Sequence, residues 1–419
     1  MEIMQIQGGV PLGGEVAVHG AKNSALPLLA ATLLCHGTAM LRHCPRLSDV
    51  NVALDILRHL GCAVHRRAHT VTVDASVLSR TEIPDGLMRE MRSSIVFLGA
   101  ILARCGEARL TYPGGCELGP RPIDLHLAAL RRLGADIREE HGRIHCRAAG
   151  GLRGAEITLT FPSVGATENI LLAACTARGE TVLHHAAQEP EIADLCGFLN
   201  ACGARIHTLS PGVLHIEGVE TLHGAAYAVM PDRIEAATYL AAAAATGGAV
   251  TLRRCCPAYI SPVLALLEEG GCSLTVCEDT VELTAPARLG ELGTVRTMPY
   301  PGFPTDAGAP LLAAACTARG TAVFVESIFE NRYKYVDELT RMGARIRVDG
   351  RVAVVEGVPR LQGAAVECTD LRGGAALVIA GLAAAGETAV SSLHHLDRGY
   401  EAMEDTLTAL GARLRRCSV

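Results

Sequence analysis

Tryptophan is absent from this 419-residue chain, and the aromatic residues together make up only 3%. Nucleic-acid-binding proteins need aromatic platforms for stacking and basic surfaces for phosphates. With a net charge of −6 the chain has neither, so a small-molecule partner is expected. No C-x-x-C pair occurs among its sixteen cysteines, and neither Cys255-Cys256 nor the pairs His184-His185 and His394-His395 complete a metal-ligand spacing. Cysteines instead recur inside matching helical segments, as Cys175 and Cys316 do in Leu-Leu-Ala-Ala-(Ala)-Cys-Thr-Ala-Arg-Gly. This pattern reads as reduced thiols in a core. The start lacks a basic stretch ahead of an apolar one, so no secretory signal is expected. The longest weakly polar run, 236–250, is too short to span a bilayer. The cytosol is the expected location.

Lysine is the scarcest basic residue: Lys22 and Lys334 are the only two among 38 lysines and arginines. Where nearly every lysine is arginine, one kept in Gly20-Ala21-Lys22-Asn23-Ser24 suggests a place where arginine will not serve. A compact ammonium just before a helix, beside its free N–H groups, suits phosphate.

What is present in abundance is repetition. Six times an apolar small-residue run leads to a glycine, a β-prone stretch and a second helical run ending near Leu-x-x-Leu-Gly-Ala, with a period of about seventy residues. The first glycines are Gly37, Gly106, Gly179, Gly247, Gly320 and Gly386; the closing ones are Gly61, Gly134, Gly203, Gly271, Gly343 and Gly411. Six such α/β units predict two lobes of three. The first lobe is expected over 21–230 and the second over 1–20 plus 231–419, with the active site in the cleft between them. Helices such as 236–245 and 375–385 are apolar nearly all round, which implies helices enclosed by sheet, an inside-out α/β barrel in each lobe.

The second repeat alone carries about four extra residues, in Tyr112-Pro113-Gly114-Gly115-Cys116-Glu117-Leu118-Gly119-Pro120-Arg121. Glycine and proline at this density predict an exposed loop, and a thiol there beside a cation is inclined toward the reactive thiolate. Asp306, in Pro301-Gly302-Phe303-Pro304-Thr305-Asp306, either caps the following helix or serves as a general base. Arg332, Arg372 and Arg398 of the second lobe, taken with Lys22, Arg92 and Arg121 of the first, suit an anion bearing carboxylate and phosphate.

These segments, together with Pro162-Ser163-Val164-Gly165-Ala166-Thr167, Pro231-Asp232-Arg233-Ile234-Glu235 and His395-Leu396-Asp397-Arg398-Gly399-Tyr400, resemble the enolpyruvyl transferases, and among them those acting on UDP-N-acetylglucosamine. The resemblance runs over the whole chain. It implies two inside-out lobes, transfer of the enolpyruvyl group of phosphoenolpyruvate to the 3′-hydroxyl of the sugar nucleotide, and no metal or organic cofactor. By the same resemblance, Cys116 protonates the vinyl carbon and Asp306 takes the hydroxyl proton. Lys22, Arg92, Arg121 and Arg398 hold the phosphate of phosphoenolpyruvate and Arg332 and Arg372 its carboxylate, with Asn23 also at that ligand. UDP-N-acetylglucosamine is expected on Arg121, Pro122, Ile123, Asp124 and Leu125, on Ser163, Val164 and Gly165, and on Asn23, Arg92, Thr305, Asp306 and Ile328. No nucleic acid or membrane partner is implied. Two alternatives stand beside this reading: the sibling transferase that uses shikimate 3-phosphate, which lacks the cysteine loop, and a weakly catalytic paralogue that binds the sugar nucleotide.

Overall fold

Strand, buried helix, strand, outer helix and a hairpin make up the third repeat in the computed structural model, which describes residues 2–113 and 123–418. Strand Glu156–Thr158 leads into helix Val164–Ala174, whose residues from Ala166 onward are all buried. Strand Glu180–His184, the outer helix Pro190–Ala201 and strands Arg205–Ser210 and Val213–Glu217 follow. The first strand runs parallel to Glu180–His184, which is antiparallel to Val213–Glu217, and that strand pairs in turn with Arg205–Ser210. Ile157, Leu183, Ile206, Leu214 and Ile216 alternate onto the buried face, the period of two that a half-covered sheet requires.

All twelve glycines that mark the repeat have positive φ, from 67° to 125°. Eight of them stand one or two residues past the end of a helix, and Gly37, Gly179, Gly320 and Gly386 directly precede a strand, all in a conformation that side chains with a Cβ rarely adopt. The second repeat differs from the other five. Its sheet has three strands, Glu107–Thr111, Arg143–Arg147 and Asp136–Glu140, and the fourth place is taken by a single bridge from Glu82 to Arg109.

The described residues divide into two compact units, one of residues 20–113 and 123–230 and one of 2–19 and 231–418. The N-terminal segment is split between two sheets of the second unit. Glu2–Gln7 lies between Glu387–Ser391 and Arg413–Ser418, antiparallel to both, and Gly13–Ala17 runs parallel to Ala249–Arg253.

In the second unit helices Arg233–Thr246, Thr305–Ala315 and Leu371–Ala383 pack on one another, and their alanine-rich surfaces are buried all round. In the first unit Phe97–Cys105 packs on both Lys22–Ala31 and Val164–Ala174. A Cβ on Gly99 would lie 2.4 Å from the Asn169 carbonyl oxygen, so this crossing depends on a bare backbone. Each unit thus encloses three helices and turns its sheets outward. No sheet closes on itself among the described residues, so the expected barrel is, in each unit, three main sheets around three buried helices, with a further two-stranded pair of Cys35–His36 and Leu222–His223 in the first unit.

Candidate functional site

Lys22 begins a buried helix, and its Nζ lies 2.7 Å from Asp49 Oδ2. Both residues are buried, at 7% and 2% exposure. Asp49 belongs to the first turn of the next helix, Ser48–Leu60. A tetrahedral ammonium keeps donors to spare after one such bond, whereas a planar guanidinium would need a wider seat. Asn23, one residue on, is half-buried. The helix start is held in place by Ser24, whose hydroxyl donates to Asp194; that carboxylate also accepts from Tyr227 Oη at 2.9 Å and from the Met230 amide at 3.3 Å.

Arg92 opens the short helix Arg92–Val96, which packs against both Lys22–Ala31 and Val164–Ala174. Its Nη1 donates to the Pro113 carbonyl at 3.3 Å. Ser163 caps Val164–Ala174 by accepting from the Ala166 amide, and Val164 and Gly165 follow it half-buried at the helix start. Ile123 is buried, Asp124 exposed and Leu125 half-buried at the start of Asp124–Arg132, which packs on the helix that Ser163 caps.

Between these segments lies His126, buried, whose ring a Cβ on Gly165 would approach to 3.0 Å. Asn169 Nδ2 donates to His126 Nδ1 at 2.8 Å and to the Ile95 carbonyl at 3.1 Å, while its Oδ1 accepts from the Gly99 amide at 2.7 Å. The amide donor fixes the tautomer with hydrogen on Nε2. Burial first, and then the charge of Arg92, push the imidazole down to about 4, so it is neutral at pH 7.

In the second unit, Asp232 caps helix Arg233–Thr246 and Asp370 caps Leu371–Ala383, each accepting from two backbone amides. Asp306 does not cap its own helix. The N-cap there is Pro304 with no side-chain acceptor, and the Asp306 carboxylate accepts instead from Arg332 Nη2 at 2.8 Å through Oδ1 and from Arg372 Nη2 at 3.0 Å through Oδ2. Both arginines are almost fully buried. Their Nε atoms and Arg372 Nη1 have no hydrogen-bond partner among the described residues. Buried donors left without acceptors are costly, about 1–3 kcal/mol each. A carboxylate ligand would satisfy them in the planar fork geometry of guanidinium.

Thr305 Oγ1 donates to Glu326, which also accepts the Ile328 amide. Arg398 closes the short helix Leu393–Arg398, which packs on Leu371–Ala383, and its neighbour Asp397 is gripped by Arg416 at 2.6 Å. Asp306, Arg332 and Arg372 therefore meet in one cluster, with Thr305 and Ile328 tied to it through Glu326. Cys116, Arg121 and Pro122 lie outside the described residues. No group of three or more histidine, cysteine or carboxylate side chains among the described residues is placed to hold a metal.

Sequence reasoning missed Asp49, His126, Asn169 and Glu326. His126 directly follows Leu125, the last residue of the run from Arg121 expected on the nucleotide. The others give no local signal, since their roles depend on neighbours far along the chain.

Residues 6–407 match the family model described as EPSP synthase (3-phosphoshikimate 1-carboxyvinyltransferase). UDP-N-acetylglucosamine 1-carboxyvinyltransferase 2 of Caldanaerobacter subterraneus subsp. tengcongensis is 50% identical over 412 residues, covering 98% of this chain and 99% of that protein. UDP-N-acetylglucosamine 1-carboxyvinyltransferase 1 of Symbiobacterium thermophilum is 49% identical over 416 residues, covering 98% and 94%. Among solved structures, the enolpyruvyl transferase NikO from Streptomyces tendae aligns with a TM-score of 0.89 at 28% identity, covering 100% of this chain and 99% of that one. EPSP synthase from Acinetobacter baumannii shares the fold, with a TM-score of 0.77 at 20% identity and full coverage of both chains.

Proposed function

The chain belongs to the EPSP synthase family of enolpyruvyl transferases, and from that premise we propose that it transfers the enolpyruvyl group of phosphoenolpyruvate to the 3′-hydroxyl of UDP-N-acetylglucosamine, releasing phosphate. The observation that carries the reading is identity of up to 50%, over almost the whole chain, with transferases named for that acceptor. The Asp306 cluster supports the chemistry. Two buried guanidiniums with unused donors suit the carboxylate of phosphoenolpyruvate, and a carboxylate between them suits proton abstraction from the sugar hydroxyl.

Cys116 protonates C3 of phosphoenolpyruvate, Asp306 removes the hydroxyl proton, and the sugar oxygen bonds to C2. Loss of phosphate and of a proton from C3 then restores the vinyl group. Asp306 begins with both oxygens engaged by Arg332 and Arg372. The incoming carboxylate competes for those guanidiniums and frees an oxygen to act as base. Lys22, Arg92, Arg121 and Arg398 take the phosphate, with Asn23 beside them. The nucleotide occupies Arg121 to Leu125, Ser163 to Gly165, and Thr305, Asp306 and Ile328, with Asn23 and Arg92 contributing, and His126 keeps the first two of these segments in register. The reaction commits sugar nucleotide to peptidoglycan in the cytoplasm, and so bears on cell-wall growth, cell shape, the cell cycle and division. Shikimate 3-phosphate as acceptor is a second reading with the description of the family model behind it; the near-50% relatives and Cys116 favour the sugar nucleotide.

The test is alkylation by fosfomycin, an epoxide phosphonate that resembles phosphoenolpyruvate in charge. Burial pushes most described thiols upward, Cys146 and Cys316 to about 12 among them, while Cys277 is exposed and serves as the internal control. Peptide mass mapping should find the adduct on Cys116, formed faster with UDP-N-acetylglucosamine present, because substrate completes such a site. Adducts spread evenly over Cys116 and Cys277, or none on Cys116 with nucleotide bound, contradict the reading.

A further inference from the structure

Glu326 follows strand Thr321–Val325 and is 2% exposed. Its two oxygens take four hydrogen bonds from three separate segments. Oε1 accepts from Thr297 Oγ1 at 3.0 Å, the Ile328 amide at 2.7 Å and the Phe329 amide at 3.0 Å, and Oε2 accepts from Thr305 Oγ1 at 2.8 Å. Thr297 Oγ1 in turn accepts from the Ser327 amide at 2.8 Å. The first of these segments follows strand Thr294–Arg296, the second carries Asp306, and the third ends at Phe329, whose ring lies 5.6 Å from the Arg332 guanidinium carbon. A carboxylate has lone pairs enough on its two oxygens to take all four donors at once and so join the three segments.

We propose that Glu326 is a positioning residue for the sugar acceptor, locking the Asp306 turn to the Ile328–Phe329 backbone so that base and sugar contact form one rigid piece. The role rests on the acceptor reading above. Misplacing a base by about 1 Å can cost about a hundredfold in rate, and a rigid support is what prevents it.

Steady-state kinetics of Glu326→Ala, Glu326→Gln and Thr297→Val test this, with circular dichroism to confirm folding. In Glu326→Ala the KM for UDP-N-acetylglucosamine should rise about tenfold or more and kcat should fall by a similar factor, the scale of losing hydrogen bonds to a charged group. The KM for phosphoenolpyruvate should move less than about threefold. Glu326→Gln should recover most of the acceptor affinity, because its carbonyl can take the three Oε1 donors while its amide donates to Thr305. Thr297→Val removes one arm alone, at a residue that is not assigned to substrate, and decides the matter if Glu326→Ala does not fold: a smaller rise in the same KM is expected. Folded variants with unchanged kinetics, or with both KM values raised together, overturn the role of Glu326. An unaltered protein inactive with UDP-N-acetylglucosamine overturns the acceptor reading, and this role with it.

Discussion

Lys22 stands out in the sequence because lysine is otherwise almost missing, yet Asp49, which meets it at 2.7 Å, is one of 44 acidic residues and carries no mark. Glu326 and His126 pose the same difficulty. Part of their surroundings comes from segments tens of residues away, and only the folded chain makes them special. Asp306 was legible as a choice between cap and base; the two guanidiniums that occupy it remove the cap. For His126, the pH dependence follows from the direction of its shift. Its pKa falls from 6.5 in the open chain to about 4 in the fold, through burial first and Arg92 second. Between those values the unfolded chain binds a proton that the folded chain refuses. The contribution to stability is therefore complete above pH 6.5 and is lost as the pH falls toward 4. Urea unfolding at pH 7 and pH 5 should show the unaltered protein losing about 2 kcal/mol more than His126→Gln over that interval. An equal loss in both proteins would mean that His126 is not held neutral.

Among the elements, glycine spacing revealed the repeat, and the positive φ at all twelve marker glycines explains why it is glycine that recurs. A second set of glycines was not legible. Gly154, Gly224 and Gly363 each stand two residues before a parallel edge strand, where a Cβ would come within 1.9–2.2 Å of a backbone oxygen on the neighbouring strand. Crowding of that kind depends on strand pairing, which periodicity does not report. The two glycine types should respond differently to alanine. Gly154→Ala drives a methyl toward the Glu180 carbonyl oxygen at 2.1 Å and should destabilise by about 1–3 kcal/mol through overpacking. Gly179→Ala meets nothing within 4 Å and carries only the strain of φ 91°, about 1–2 kcal/mol. Thermal unfolding gives the size of each effect. Crystal structures of the variants separate the causes, since the first should move strand Glu180–His184 and the second should leave its surroundings in place.

For the whole molecule, six repeats predicted an α/β fold with helices inside and sheets outside, and the chain has that fold. The N-terminal segment was assigned to the second lobe, but its strand partners were not legible, because pairing of residues 2–17 with residues more than two hundred positions away leaves no local trace. The three-stranded sheet of the second repeat escaped it as well. The acceptor is a property of the whole chain too, since the segments assigned to it run from Asn23 to Ile328. Phosphate release from phosphoenolpyruvate, measured with UDP-N-acetylglucosamine and with shikimate 3-phosphate as alternative acceptors, tests that assignment most directly. Release that depends on UDP-N-acetylglucosamine, with none above background on shikimate 3-phosphate, is the predicted result; release with shikimate 3-phosphate, or with neither acceptor, would contradict it.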